Sequence, residues 1–294
     1  MENSKKAEIL AKALPYMQQH KGKTVVVKYG GNAMLNQSLK EAVINDLVLM
    51  KCIGINLVVV HGGGPEINNL LKRINKESKF INGLRYTDKE TMDIVQMVLA
   101  GKINKDLTAM IYKKGGKAIG LCGIDGNMLQ AKKLEADDDL GLVGEISKVD
   151  TDIINSSING GYIPVISSIA LGDDKETVYN INADTAASSI ASSLNAEKLI
   201  LLTDVPGILT DPSDPSTLIS QLDLNGIYQL TSGGLLTGGM IPKVKCCSDA
   251  IKTGVKRAHI IDGRVQHSLL LELFTDEGIG TMIKQGGINN GIDR

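Results

Sequence analysis

A lysine followed by two glycines closes the run Thr24-Val25-Val26-Val27-Lys28-Tyr29-Gly30-Gly31. The β-branched residues read as a short, fully buried strand. At its end a cation stands beside backbone that can approach a ligand closely, which is the chemistry of a phosphate site. A second run ends in the same manner, Val58-Val59-Val60-His61-Gly62-Gly63-Gly64, and further glycines fall at 238–239. In an open α/β sheet, ligands bind outside the carboxyl ends of strands. There, turn amides and helix N-termini hold anions without a dedicated side chain. Two common phosphate designs are excluded. Gly22-Lys23-Thr24 resembles the end of a P-loop, but Met17 stands where its first glycine is needed, and no G-x-G-x-x-G follows a strand. His61 reads as a packed or hydrogen-bonded residue at a strand end rather than an acid or base.

The elements that must position these residues alternate along the chain. Ile9, Leu10, Ala13 and Leu14 give residues 4–14 one helical face, which Pro15 is expected to end or kink. Strand 24–29 is followed by a helix over 39–53, with Leu39, Val43, Leu47 and Met50 on one stripe. Strand 55–61 leads through the glycines to a helix starting near Pro65. The loop Asn82-Gly83-Leu84-Arg85-Tyr86-Thr87 ends in a capping-box pattern, Thr87 with Glu90, and helical runs cover about 88–100 and 102–114. Strand 117–122, shorter strands at 128–133 and 142–149, a helix at 151–159 and strand 162–168 follow. The acidic run Asp137-Asp138-Asp139 reads as a solvated turn, since hard-metal loops space their ligands. Asp184 taken alone reads as the N-cap of a helix reaching Leu194. Strand 198–203, a Ser/Thr/Gly-rich loop at 231–239, a helix carrying Lys243, strand 257–261, helix 266–274 and a strand near 280–283 complete the pattern. Such alternation implies an α/β fold whose parallel strands are covered by helices.

Composition narrows the partners. The 294 residues carry 32 Lys plus Arg against 33 Asp plus Glu, a net charge of −1, which gives no basic surface for nucleic acid. With no Trp and 2 Phe, stacking platforms for single strands are absent as well. No apolar run approaches the roughly 20 residues of a membrane span, and the first twenty residues lack a signal-peptide core. Cys52, Cys122, Cys246 and Cys247 form no C-x-x-C pair and read as buried free thiols, in keeping with a reducing cytoplasm.

Six motifs in order carry a resemblance. Lys28-x-Gly30-Gly31, His61-Gly62-Gly63-Gly64, Asn82-Gly83-x-Arg85-x-Thr87, Asn180-x-Asn182-x-Asp184, Thr203-Asp204-x-x-Gly207 and Gly239-Met240-x-x-Lys243 resemble the amino acid kinase family, in the branch that phosphorylates N-acetyl-L-glutamate for arginine biosynthesis. The resemblance runs from about residue 20 to 285. It implies an open αβα sandwich with a mainly parallel central sheet in one domain. Residues 1–20 would be an extension helix, about 21–180 the acetylglutamate-binding and dimerisation half, and about 181–294 the ATP-binding half. Lys28 and Lys243 would flank the transferring phosphoryl group, with Asp184 holding both lysines. Gly63 and Gly64, Arg85, Asn180 and Asn182 would bind the acid. Gly30, Gly31, Thr203, Asp204, Gly207 and Gly239 would serve ATP, whose Mg²⁺ would be held mainly by the nucleotide rather than by a protein metal site. Arg85 suits a bidentate grip on a carboxylate.

The members of that branch inhibited by L-arginine carry a kinked N-terminal helix that joins dimers into a trimer of dimers. They also share a C-terminal stretch like His267 to Thr281. The resemblance therefore implies a homo-oligomer and an inhibitor site near Tyr16, His267, Glu277 and Gly280. A stripe of Ile9, Leu10, Ala13 and Met17 needs burial, either on its own subunit or on another. Two other readings stand beside this one: a related kinase acting on an N-substituted aminoadipate, and a non-catalytic amino-acid sensor on the same fold.

Overall fold

The computed structural model describes residues 3–286 except Thr237. In chain order the elements begin with α1 (Asn3–His20), β1 (Thr24–Tyr29), α2 (Gln37–Cys52), β2 (Asn56–His61), α3 (Gly64–Arg73), β3 (Phe80–Ile81) and β4 (Leu84–Arg85). Next come α4 (Lys89–Gln96), a π-helical stretch (Met97–Ile103), α5 (Asn104–Lys113), β5 (Ala118–Cys122), β6 (Leu129–Lys133), β7 (Gly144–Val149), α6 (Asp152–Asn159) and β8 (Ile163–Ser167). Then follow β9 (Ile169–Gly172), β10 (Val178–Asn180), α7 (Ala183–Ser193), β11 (Lys198–Thr203) and β12 (Gln221–Asp223). The last elements are α8 (Leu224–Ser232), α9 (Met240–Lys252), β13 (Arg257–Asp262), α10 (Ser268–Leu273) and β14 (Thr281–Lys284).

An eight-stranded sheet in the order β12-β14-β13-β11-β1-β2-β8-β5 forms the centre. Its pairs are parallel except β13 with β14. Alternate residues of β1 enter different cores: Val26 joins the cluster under α7 and α9, whereas Val25 and Val27 join the cluster under α2 and α5. Both faces are therefore covered, which is why β1 reads as an unbroken apolar run rather than an alternating one. Each fully buried Val, Ile or Leu contributes about 2 kcal/mol by leaving water. The result is an α/β fold with helices on both sides of a mainly parallel sheet, as expected. Strands from before residue 181 lie on the β1 side and later strands on the β11 side, so β1 and β11 meet where the strand order reverses. Such switch points open a crevice at the carboxyl ends.

Several expectations need correction. Pro15 does not end its helix: α1 continues to His20, because an interior proline removes one backbone bond without obliging the later turns to open. The stripe on α1 is not buried within the protomer, since Ile9, Leu10 and Leu14 are exposed. Thr87 is not a cap. Asp88 caps α4 by accepting from the Thr91 amide, and Thr87 is buried with its hydroxyl donating to the Arg85 carbonyl. The expected 82–87 loop is a hairpin, β3 paired with β4 around Asn82-Gly83, both at positive φ. The two helical runs 88–100 and 102–114 are one, joined by the π-helical stretch. A second sheet, β10-β9-β6-β7, uses strands β9 and β10 that the periodicity does not show. Thr231 and Ser232 belong to α8, so the loop at 231–239 is shorter than expected, and its Thr237 lies outside the described residues. Cys52 is exposed rather than buried, and all four thiols are free. Asp137 to Asp139 are exposed, and Asp139 pairs with Lys133 at 2.8 Å. No helix among the described residues is long and apolar enough to cross a membrane.

Candidate active site

The site is built on helix and strand termini. Asn182 is the N-cap of α7, its Oδ1 accepting from the amides of Asp184 (2.9 Å) and Thr185 (3.2 Å). That frees Asp184, which alone had read as the cap, to point its carboxylate elsewhere. Lys28 Nζ, near the end of β1, sits 2.9 Å from Asp184 Oδ1 as an ion pair, and Lys243 Nζ, in the first turn of α9, donates to Oδ2 at 2.7 Å. Burial works against the Asp184 charge, but the two lysines overcome it and hold the carboxyl at about 2. The carboxylate is thus ionised at neutral pH and is shared by the two lysines.

Two cavities meet at these lysines. The first, about 440 Å³, is walled by Thr203, Asp204, Gly207, Gly239, Leu236 and Met240 among others. The second, about 330 Å³, is lined by Gly62, Gly63, Gly64, Arg85, Asn180 and Asn182 among others. They share Lys28, Gly31 and Lys243. Gly30 lines the second cavity and not the first, on whose side the resemblance had placed it. Gly31 has φ of 70°, and a Cβ there would lie 2.8 Å from both Asp204 carboxylate oxygens. A Cβ on Gly63 would come within 2.1 Å of Ile103 Cδ1. These glycines are dictated by packing as well as by ligand approach.

Arg85 is buried at the second cavity. Its Nη1 donates to Ser78 Oγ and its Nη2 to the Gly64 carbonyl at 3.2 Å, while the guanidinium lies 4.7 Å from the Phe80 ring centroid. Burial lowers its pKa, and no carboxylate of the described residues opposes that shift. A desolvated guanidinium facing a cavity has the charge and the planar donor geometry that suit a carboxylate. Asn180 is held by donating to Thr87 Oγ1 at 3.2 Å. Ser78 and Phe80 were invisible as site residues in the sequence, because they reach Arg85 only through the hairpin.

The four residues of the expected inhibitor site are not all together. The Tyr16 hydroxyl donates to the Asp276 carboxylate, and His20 stands edge-on to Phe274 with ring centroids 6.1 Å apart. Glu277 and Gly280 border a small cavity with Lys198, His259 and Glu272. His267 is not one of its walls; its Nδ1 meets Asp46 Oδ1 at 2.6 Å. Burial raises Asp46 to about 6 against the opposing pull of that contact.

The sequence profile described as "Amino acid kinase family" matches residues 23–262. A protein of Clostridium kluyveri named acetylglutamate kinase is 65% identical over 283 residues, covering 96% of this chain and 100% of its own. Among solved structures, N-acetylglutamate synthase from Neisseria gonorrhoeae complexed with coenzyme A and N-acetyl-glutamate superposes with a TM-score of 0.83 at 27% identity. This match covers 96% of this chain and 64% of the synthase. The same synthase complexed with coenzyme A and L-arginine gives a TM-score of 0.77 at 26% identity, over 95% of this chain and 65% of the other. The chain thus spans about two thirds of the synthase but the whole of the kinase. On the profile match and the 65% identity, this chain belongs to the amino acid kinase family.

Proposed function

We propose that the protein transfers the γ-phosphoryl group of ATP to the side-chain carboxylate of N-acetyl-L-glutamate, as a cytoplasmic enzyme of arginine biosynthesis. The observation that carries this reading is the pair of cavities joined at Lys28, Gly31 and Lys243. On this reading the first cavity takes the nucleotide, its base against apolar residues such as Leu236 and Met240 and its phosphates toward Gly31. The second takes the acid, with Arg85 on its α-carboxylate and Asn180 on the acetylated portion.

In the transfer, a side-chain carboxylate oxygen forms a bond to Pγ while the bond from Pγ to the ADP oxygen breaks, and ADP leaves. The nucleophile is already ionised near neutral pH, so no general base is required. What remains is to bring two anions together and to stabilise charge spread over the equatorial oxygens. Lys28 and Lys243 do this from two sides, aligned by Asp184, while amides of Gly31, Gly63 and Gly64 donate to the phosphoryl group and the acid. Asp184 is committed to two lysines, and no three His, Cys, Asp or Glu side chains gather into a metal cluster among the described residues. A Mg²⁺ held by the nucleotide would supply charge neutralisation there.

The same reading extends to regulation. Feedback inhibition by L-arginine is part of this reading, and the likeness to a synthase that was solved with L-arginine is what supports it. Tyr16, Glu277 and Gly280 lie around the contact of α1 with the 274–280 segment, whereas His267 meets Asp46 instead. The exposed Ile9, Leu10 and Leu14 favour α1 as the joint between dimers in a trimer of dimers.

A hydroxylamine trap for acyl phosphate, run with ATP and Mg²⁺, tests the reaction. N-acetylglutamate is expected to give hydroxamate, and glutamate, aspartate and N-acetyl-aminoadipate far less. A preference for the aminoadipate derivative would reassign the substrate. Tight acetylglutamate binding with no hydroxamate at all would make the protein a sensor.

A further inference from the structure

His61 ends β2 and is wholly buried, yet the reaction proposed above does not use it. Its Nδ1 lies 3.0 Å from the Gly62 carbonyl oxygen, and its Nε2 lies 3.1 Å from Asn104 Nδ2. The first contact requires a proton on Nδ1 and the second a lone pair on Nε2, so the ring is neutral with a fixed tautomer. Burial, acting against the Gly62 contact, keeps its pKa at about 4.

Asn104 is the first residue after the π-helical stretch and is also fully buried. Besides facing His61, its Nδ2 lies 2.8 Å from the Val165 carbonyl in the middle of β8 and 3.0 Å from the Leu121 carbonyl near the end of β5, so its two hydrogens are shared among three acceptors. Through Asn104 the ring is therefore braced against two further strands of the central sheet, β8 and β5. From the same π-helical stretch, Leu99 and Ile103 press on Gly63 so closely that a Cβ there would stand 2.7 Å and 2.1 Å from their methyl carbons. One widened helical turn thus holds the glycine turn twice, by packing on Gly63 and by a hydrogen-bond chain to Gly62. Single π turns inside α-helices recur at functional sites.

We infer that His61, braced by Asn104, is a positioning residue that sets the Gly62–Gly63 peptide so that the Gly63 amide donates into the second cavity. In a trans peptide the carbonyl and the following N–H point to opposite sides. With the Gly62 oxygen tied to His61, the Gly63 N–H faces away from the ring. Gly63 lines the second cavity, and among the described residues no backbone carbonyl accepts from its amide. The donor is free for the transferring phosphoryl group, which gains charge in the transition state. This inference rests on the proposed phosphoryl transfer.

Three substitutions at His61 separate positioning from simple stability. Asn places its amide nitrogen where Nδ1 stood and keeps the bond to the Gly62 carbonyl. Gln reaches instead toward the Nε2 position and Asn104, and Leu supplies neither. In the hydroxylamine assay with N-acetylglutamate, His61→Asn is expected to keep kcat within about threefold of the parent. His61→Gln and His61→Leu are expected to lose about ten- to a hundredfold in kcat, the scale of a misdirected oxyanion-type donor, with KM for ATP nearly unchanged. Melting temperatures measured alongside identify any loss due to unfolding. Equal kcat for the Asn and Gln variants, or losses that follow the melting temperature through all three, would overturn the inference. If the parent itself forms no hydroxamate, the proposed function fails first.

Discussion

Lys28 and Lys198 lie on neighbouring parallel strands, one near each end of the same sheet. In the register of β1 with β11, Lys28 stands opposite Leu201 and Lys198 opposite Val25. Lys28 is half-buried at the cavities and Lys198 is fully buried; each has a carboxylate nearby, but the wiring differs. At the carboxyl end, Asp184 touches Lys28 and Lys243 directly and stays ionised. At the amino end, Lys198 Nζ meets His259 Nε2 at 3.3 Å, and the ring's other nitrogen meets Glu272 Oε1 at 2.7 Å. Here the carboxylate lies one ring away, and burial brings Lys198 down to about 8. A carboxylate in contact with its cations makes a charge fixture that is constant over the neutral range. A carboxylate reached through an imidazole leaves a lysine close to losing its proton. The first arrangement suits catalysis by fixed charge, and the second titrates.

Removing the fixed charges gives the largest effect. Lys28→Ala and Lys243→Ala are each expected to lower kcat by about two to three orders of magnitude, while KM for acetylglutamate changes far less. That split is the signature of groups that act in the transition state. If either variant keeps its kcat with its fold intact by circular dichroism, the fixture is structural and the contrast with Lys198 disappears.

The next effect belongs to binding. Arg85→Lys keeps the charge but loses the planar fork that holds a carboxylate at two points. It also loses a donor to Ser78 or to the Gly64 carbonyl. KM for acetylglutamate is expected to rise about tenfold or more, with KM for ATP within about twofold. A larger change for ATP would put Arg85 in service of the wrong cavity.

The carboxyl-end site was the more legible of the two regions, and the reason is physical. Buried strands announce themselves by β-branched runs, and glycines at their ends mark close approach, so Lys28, Gly31, Gly63 and Gly64 stand out along the chain. Lys243 and Asp184 gained meaning only from the order of all six motifs, because a lone lysine or a helix-start aspartate is common. The π-helical stretch escaped notice, since one extra residue in a turn barely disturbs a helical apolar pattern. Asn104 looks like any polar helix residue until the strands that accept from it are in place. The cluster of Lys198, His259 and Glu272 draws on β11, β13 and α10, which are separated by up to 74 positions in the chain, and no local spacing joins them.

The titrating end can be tested through stability. Unfolded lysine has a pKa near 10.5 and folded Lys198 about 8, so between these values the unfolded chain binds a proton that the folded chain has released. Stability contributed by this group therefore rises with pH from 8 to 10.5 and not below it. Other groups also titrate there, so the useful quantity is the melting temperature of the parent minus that of Lys198→Met. This difference is expected to grow by about 3–6 °C between pH 7 and pH 10, with kcat at pH 7.5 within about twofold. A difference that stays constant with pH would mean that Lys198 is buried without strain on its charge.

The smallest effect on catalysis, and the sharpest on regulation, is expected from deleting residues 1–20. Only the end of α1 docks on its own protomer. His20 is buried against Phe274, and Tyr16 reaches Asp276, whereas Ile9, Leu10 and Leu14 stay exposed. The docked end sits over the titrating cluster: Lys198 and His259 both help to hold the buried His20 at about 4, after burial itself. None of these groups lines the two cavities that meet at Lys28, which lie at the opposite end of β1 and β11. On the proposed function, α1 is dispensable for phosphoryl transfer but necessary for joining dimers and for the inhibitor site. The truncated protein is expected to retain kcat within about twofold, to run as a dimer by light scattering, and to ignore millimolar L-arginine. The full-length protein is expected to be larger and inhibited. A full-length dimer that arginine leaves fully active would confine α1 to local docking, and the amino end of the sheet would then be a structural cluster alone.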